Sequence, residues 1–408
     1  MNSNIAQKQN IDYESTDQIS ADTFHFSLLT PIFAQKRQID DAQALLRKGR
    51  DFAKVEKMMT DLLKKDSANL TNLRIYDVWL EAVEKQYGEL NEKMYRRQTI
   101  DTTKLFTLTR RIFTIAERLD SIDMRPDKRG RVNPEYRKGN AQRLMNYRPN
   151  LFFGGAHHLR RSDFKTAYDF FEMYIDCGRQ PLFSAHNLND TDARMGEAAY
   201  WATYCGYRMN DPLLTLRYSD MARRDTSKLE YILQYVAEAW NRLGDDARYG
   251  ELLWEGFAFF PESNYFFPHL MDTYTRKGNY EQALMVADEA LKADSLNTLF
   301  LFAKSTMLLN LGRNAQCLEY TEKLLALDPD MPGAWYNAGT ACLNIILHMD
   351  SRKHKKQIRK MYLKAQPFME KYRELAPDAK DKWGPALYRI YFNLNMGKEF
   401  DEIDRILH

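Results

Sequence analysis

The chain has few of the residues that interrupt helices. Its 408 residues include only 18 glycines and 13 prolines, about 8% together, against a usual share near 12%. This low content excludes a collagen-like, linker-like or wholly disordered polypeptide. The 24 tyrosines, 22 phenylalanines and 6 tryptophans provide ample apolar surface for burial. The composition therefore predicts a helix-rich, folded protein.

Long apolar segments are also missing. No run of 18 apolar residues occurs, so we expect no transmembrane helix. The N-terminal residues have neither a basic start nor an apolar core segment, so no signal peptide is expected. We expect a cytoplasmic protein as the sequence stands, and an exported or periplasmic one if an N-terminal signal has been trimmed.

Motifs that carry chemistry are absent as well. HExxH, GxSxG, GxxxxGK[ST] and GxGxxG do not occur. His157 and His158 are adjacent on a predicted helix, where neighbouring side chains diverge by about 100° and do not chelate one metal together. The four cysteines form no CxxC pair and no disulfide scaffold. We therefore expect no enzyme activity, no cofactor and no metal.

A series of turn residues, called the ladder below, recurs at a fixed interval in the second half of the chain. Asn210, Gly244, Gly278 and Gly312 follow one another at intervals of 34 residues. Apolar residues with helical spacing lie on both sides of Gly278. The same pattern is found in each of the repeats. Glycine and asparagine tolerate the left-handed backbone of a tight turn between two helices. The repeats begin at Gly196, Glu230, Asn264, Thr298 and Pro332.

The repeat that starts at Asn264 resembles the tetratricopeptide repeat (TPR) family. Met271 and Ser295 depart from the family pattern, which prefers a small residue and a proline there. The resemblance implies an all-α fold, a right-handed α-solenoid of stacked antiparallel helix pairs that forms a superhelix. It also implies that the first helix of each pair lines a concave groove that binds a partner protein or peptide. The matching residues are Tyr274, Gly278, Tyr280, Ala283, Ala287 and Ala290.

The flanking segments are looser copies of the repeat. Longer helices are expected at about 70–98 and 101–123, and the apolar island at 24–33 is either an N-terminal cap or a partner-binding arm. Cys317 and Cys342 lie in neighbouring repeats. We expect them to be either buried free thiols or a disulfide. The predicted organisation has four parts: a polar tail and capping segment at 1–35, divergent TPR-like helices at 36–147, an array at 148–378 with insertions near 182–195 and 346–360, and a capping helix pair at 379–408.

The resemblance also places side chains in the groove. Arginine pairs with carboxylates, and aromatic rings offer rigid contact area, so an acidic and apolar peptide or the carboxyl terminus of a protein would suit this surface. Ordinary packing or solvated roles for the same residues stay open. The chaperone-binding TPR pattern has lysine and asparagine where this sequence has Tyr200 and Tyr204, which argues against that ligand. The predicted groove residues are Tyr200, Trp201, Tyr204, Tyr207, Arg208, Tyr231, Tyr235, Arg242, His269 and Arg276.

The net charge of +3 does not show that basic residues are concentrated in two segments. Residues 125–148 contain eight basic and two acidic residues, and residues 352–364 contain seven basic residues and no acid. Such patches suit nucleic acid, an anionic membrane surface or an acidic partner, and they are also common as solvated surface. Binding of a polyanion is the alternative function, although no RNA-binding motif supports nucleic acid. The predicted patch is Lys128, Arg129, Arg131, Lys353, Lys355, Lys356, Arg359 and Lys360.

Overall fold

The computed structural model describes the backbone of residues 22–408 and the side chains of residues 35–408. It contains helices and no strand in this range. The predicted all-α fold class of antiparallel helix pairs is confirmed. Residues 1–21, which make up most of the predicted polar tail, lie outside the described residues, and so do the side chains of the apolar island at 24–33. The described residues form two compact units, which divide after Ala198.

The first unit is built on pairs of long amphipathic helices. Helices α1 (Asp22–Arg47), α2 (Phe52–Lys65) and α3 (Leu73–Tyr95) enclose a core around Val55, Met59 and Ile75, which are fully buried. The two long helices predicted at about 70–98 and 101–123 are present as α3 and as α4 (Thr102–Asp123). The helices of this unit are α1 Asp22–Arg47, α2 Phe52–Lys65, α3 Leu73–Tyr95, α4 Thr102–Asp123, α5 Arg137–Tyr147, α6 Pro149–Leu159, α7 Phe164–Asp176 and α8 Leu188–Thr191.

The second unit contains the regular repeats. Consecutive helices pack as hairpins, and each hairpin packs on the next. Its helices are α9 Met195–Arg208, which begins in the first unit, α10 Pro212–Leu216, α11 Ser219–Ala222, α12 Leu229–Leu243, α13 Asp246–Phe259, α14 Phe266–Arg276, α15 Tyr280–Ala293, α16 Thr298–Asn310, α17 Asn314–Leu327, α18 Pro332–Leu347, α19 Lys355–Leu375, α20 Lys380–Leu394 and α21 Gly397–Leu407.

The predicted ladder of left-handed turns is present. Asn210, Gly244, Gly278 and Gly312 have φ angles of 61°, 76°, 70° and 70°. At each turn the amide of the following residue donates to a carbonyl five residues earlier, as from Asp245 to the Trp240 oxygen at 3.1 Å. This is the Schellman arrangement, which satisfies carbonyls at a helix end while the backbone reverses direction. The 34-residue spacing therefore reflects one local turn geometry repeated four times.

Small residues let paired helices approach closely. A Cβ added to Gly206 on α9 would lie 2.4 Å from the Thr215 backbone nitrogen of α10. A Cβ added to Gly256 on α13 would lie 2.2 Å from the Phe266 ring of α14. Ala283 and Ala287 on α15 are fully buried for the same reason. The close contacts keep the interior of the array dense.

Three segments differ from the predicted pattern. The insertion near 182–195, expected as a loop, contains a 3-10 helix at Pro181–His186 and the short α8. The second helix of the repeat at Gly196 is broken into α10 and α11. The next position at the 34-residue interval is Ile346, which lies inside α18. Because a β-branched residue is strained in the left-handed region, the helix continues to Leu347 before the backbone turns.

A buried arginine holds the insertion against the first unit. The Arg148 side chain is 5% exposed, and its guanidinium pairs with the Asp192 carboxylate. It also donates to the Tyr174 carbonyl at 3.0 Å and lies 3.7 Å from the Tyr174 ring centroid. The Tyr174 hydroxyl donates to the same carboxylate of Asp192 at 2.6 Å. These contacts give the insertion a fixed position on α6 and α7.

Candidate functional site

Helices α9 and α12 position most of the predicted groove residues. They are the first helices of two consecutive repeats. On α9, Tyr200, Tyr204 and Tyr207 are spaced by four and three residues, which puts them on one helix face. On α12, Tyr231 and Tyr235 are spaced by four. The helical period therefore turns five tyrosines from two helices into a single aromatic surface.

Tyr235 is the centre of this surface. Its ring stacks on Tyr207 with centroids 4.5 Å apart and planes inclined by 25°. It also lies within ring-contact distance of Tyr204 at 5.7 Å, Tyr200 at 6.4 Å and Tyr231 at 6.5 Å. Trp201 joins the group through Tyr200, at 4.8 Å. We call these six residues the tyrosine cluster: Tyr200, Trp201, Tyr204, Tyr207, Tyr231 and Tyr235.

The cluster is packed at its base and open at its edge. Tyr200 is 6% exposed, whereas Tyr231 is 48% exposed. Burial raises the pKa of Tyr235 well above its usual range, with the neighbouring Tyr200 as the next cause. Burial likewise raises the pKa of Tyr200, although the hydrogen bond from Tyr235 opposes this. Both phenols are therefore protonated at neutral pH and remain hydrogen-bond donors.

Two exposed arginines flank the cluster. The Arg208 guanidinium donates to the Tyr204 hydroxyl and lies 5.5 Å from the Tyr204 ring centroid. The Arg242 guanidinium lies 5.6 Å from the Tyr207 ring centroid. Both arginines are at the C-terminal ends of their helices, where the helix dipole favours a cation. The structure thus brings together eight of the ten predicted groove residues, the tyrosine cluster with Arg208 and Arg242.

The remaining two predicted residues lie on α14 and have partners of their own. His269 stacks on Tyr265 at 4.1 Å, and its Nδ1 lies 2.7 Å from the Tyr265 carbonyl oxygen. Arg276 pairs with Asp272 at 2.9 Å. Among the described residues, no ring contact joins His269 to the tyrosine cluster. The connection to α12 is instead the Tyr265 hydroxyl, which donates to Glu238 at 2.8 Å.

A cleft that the sequence does not indicate opens near the broken helix α10–α11. It has a volume of about 400 Å³. Arg223 pairs with Glu255 at 2.6 Å across it, and the Arg248 guanidinium lies 4.1 Å from a Trp240 ring centroid. Because its lining comes from four helices and has no regular spacing, no sequence pattern marks it.

The two basic segments differ in the structure. In residues 125–148, four of the arginines already pair with carboxylates, as Arg137 does with Asp120 at 2.7 Å. In residues 352–364 all the basic residues are exposed. Among the described residues, the only ion pairs of this second segment join Lys353 to Asp350 and Lys364 to Glu322. The other three paired arginines of the first segment are Arg131 with Asp127, Arg143 with Glu84, and Arg148 with Asp192.

The four cysteines lie in the core of the protein. All four cysteines are buried and free, so Cys317 and Cys342 form no disulfide. Burial raises the pKa of the Cys342 thiol to about 12.

Within residues 22–408 no group of three histidines, cysteines or carboxylates is arranged to hold a metal ion. No helix in the same range is both long and apolar enough to span a membrane.

Comparison with known proteins gives structural likenesses of low identity. No protein-family model matches the sequence, and no curated protein matches it. Among solved structures, the C-terminal part of a TPR repeat-containing protein from Cytophaga hutchinsonii is 12% identical; the match covers 62% of this protein and 92% of that one, with a TM-score of 0.41. The TPR domain of P58(IPK) is 13% identical, and the match covers 89% and 99% with a TM-score of 0.26. The TPR2AB domain of yeast Sti1, in complex with pHSP90, is 12% identical, and the match covers 77% and 98% with a TM-score of 0.30.

These likenesses concern the fold alone. The geometry of this protein agrees with the resemblance drawn from its sequence, because left-handed turns recur at Asn210, Gly244, Gly278 and Gly312. Each of these turns ends the first helix of a repeat and leads into a second segment that packs against it, which after Asn210 is shown by the close approach of Gly206 to Thr215. The protein has the fold of the tetratricopeptide repeat family.

Proposed function

We propose that the protein is a non-enzymatic scaffold that binds a segment of a partner protein on the tyrosine cluster. The observation that supports this is the stacking of Tyr207 and Tyr235 beside the exposed Arg208 and Arg242. Rigid aromatic side chains lose little entropy on binding, and arginine favours carboxylates. Such a surface suits an extended segment that carries acidic and apolar side chains.

The cluster differs from a surface that is only packed. Tyr231 keeps half of its side chain exposed, and Arg242 has no ion pair in the part of the protein that the structure describes. By contrast, Arg276 in the next repeat pairs with its neighbour Asp272. We therefore limit the proposed surface to α9 and α12 and do not extend it to α14. His269 and Arg276 are outside it.

The test is affinity purification from the native cell with a charge-reversed surface. Arg208→Glu/Arg242→Glu should remove the partners that the wild type captures, because the two positions become repulsive to an acidic segment. The matched control is Lys292→Glu/Lys323→Glu, which reverses two exposed cations of α15 and α17 in the same unit. The control should capture the wild-type set. An unchanged partner set for the α9–α12 variant would contradict the proposal.

A further inference from the structure

The exposed basic residues at the start of α19 lie on one side of the helix, and they have no part in the proposed function. At 100° per residue, Lys355, Lys356, Arg359 and Lys360 fall within one sector of about 140°. The opposite side of the helix carries Ala365 and Tyr372, which are buried. The burial pattern therefore fixes α19 on its neighbours and turns the four cations to solvent.

A leucine lies in the middle of these cations. Leu363 projects from the centre of the same sector, one turn further along, and it is 51% exposed. Leu347, the last residue of α18, is 62% exposed. Because α18 and α19 are antiparallel, Leu347 lies at the end of the hairpin where α19 begins. The segment thus presents apolar side chains together with unpaired positive charge.

We propose that the first turns of α19, with Arg352 and Lys353 of the preceding loop, dock on an anionic lipid surface. Lysine and arginine near such a surface each add to the attraction, and leucine side chains gain by entering the interface. The four cations extend over only about 8 Å along the helix. That is small for a stable protein interface, whereas a lipid surface requires no matching shape.

Nucleic acid fits the face less well. The exposed leucines gain nothing from phosphates, and no exposed aromatic residue in 352–364 is available for stacking on bases. The segment at 125–148 has similar composition, but four of its arginines already pair with carboxylates, and its exposed Lys128 and Arg129 provide a comparison within the same protein. The proposal is independent of the tyrosine cluster.

The experiment measures sedimentation of the full-length protein with phosphatidylcholine vesicles, with and without phosphatidylglycerol. We expect binding only with the anionic lipid, decreasing as salt is raised. Lys355→Glu/Lys356→Glu should weaken binding by about tenfold or more. The matched control, Lys128→Glu/Arg129→Glu, should leave it within about twofold of wild type. Circular dichroism checks that each variant keeps its helices.

A second variant separates lipid from other polyanions. Leu363→Ser keeps every charge, so it should weaken vesicle binding by severalfold and leave any binding to a DNA oligonucleotide unchanged. The proposal is overturned if vesicles with and without phosphatidylglycerol bind alike, if neither binds, or if the Lys355/Lys356 variant binds as the wild type does. It is also overturned if Leu363→Ser has no effect on vesicle binding, or if the oligonucleotide binds more tightly than the vesicles.

Discussion

The rings of Tyr207 and Tyr235 stack at a centroid distance of 4.5 Å, although the two residues belong to different repeats. Tyr207 lies near the end of α9, and Tyr235 lies near the middle of α12. Stacked rings at this distance add to the energy of simple burial. The pair therefore fixes the register between two consecutive first helices, and it forms the centre of the tyrosine cluster.

Removal of the Tyr235 ring tests this role. Tyr235→Ala should lower the free energy of unfolding by about 2–3 kcal/mol, because a half-buried ring and its stacking partners are lost. Tyr235→Phe should cost only about 1 kcal/mol, since it loses only the hydrogen bond to Tyr200. Urea denaturation provides the measurement. Tyr95→Ala, at a side chain that is 90% exposed, should change little, and an equal loss in that control would contradict the interpretation.

The turn ladder makes a prediction at Gly278, whose φ angle is 70°. Gly278→Ala should lower the free energy of unfolding by about 1–2 kcal/mol, because an L-residue is strained in the left-handed region. Gly250 is the matched control, as it lies inside α13 with nothing within 4 Å of an added Cβ. Gly250→Ala should raise stability by up to about 1 kcal/mol. Opposite signs from the same substitution, measured by thermal unfolding, are the expected result.

Two partly buried carboxyl groups predict that the first unit loses stability as the pH rises. Burial raises the pKa of Glu84 from 4.5 to about 7, despite the nearby Arg143. Burial also raises the pKa of Glu117 to about 7, with a contribution from Asp176. A group with a raised folded-state pKa stabilises fully below its unfolded pKa and loses that contribution as pH rises through the folded value. The unfolding free energy should therefore fall between about pH 5 and about pH 8.

The variants Glu84→Gln and Glu117→Gln identify the source of this dependence. Each should remove about 2 kcal/mol of the pH-dependent loss, because an amide does not ionise. Thermal unfolding at the two ends of the pH range measures the effect. Glu92→Gln, in an exposed pair with Arg96, should leave the dependence as in the wild type. A slope that survives both buried substitutions would show that other groups cause it.

The buried pair of Arg148 and Asp192 predicts a non-additive result. Arg148→Met should destabilise the first unit by about 3 kcal/mol, because it leaves the Asp192 carboxylate without its cation. Adding Asp192→Asn should restore part of that loss, since the uncompensated charge is removed. A double-mutant cycle by urea denaturation measures the coupling. If the two losses simply added, the ion pair would have no role in holding the insertion.

Part of the candidate site is predictable from sequence because it depends on helical spacing. Tyr200, Tyr204 and Tyr207 follow a period of three and four residues, and the 34-residue repeat places Tyr235 on the next equivalent helix. The sequence does not show that His269 stacks on Tyr265 and leaves the cluster. That outcome depends on the side-chain partners available around α14, and Tyr265 donates across to Glu238.

The repeat length, the helix pairs and the turns were predictable from the sequence, because these depend on local backbone preferences. Glycine or asparagine at Asn210, Gly244, Gly278 and Gly312 is sufficient to end one helix and start the next segment. Which charges remain free depends on the tertiary packing. The basic segments at 125–148 and 352–364 look alike in composition. Packing brings carboxylates to four arginines of the first segment, whereas among the described residues of the second only Lys353 and Lys364 pair. Ion pairing depends on which side chains the packing brings within a few ångströms, and that information is not local.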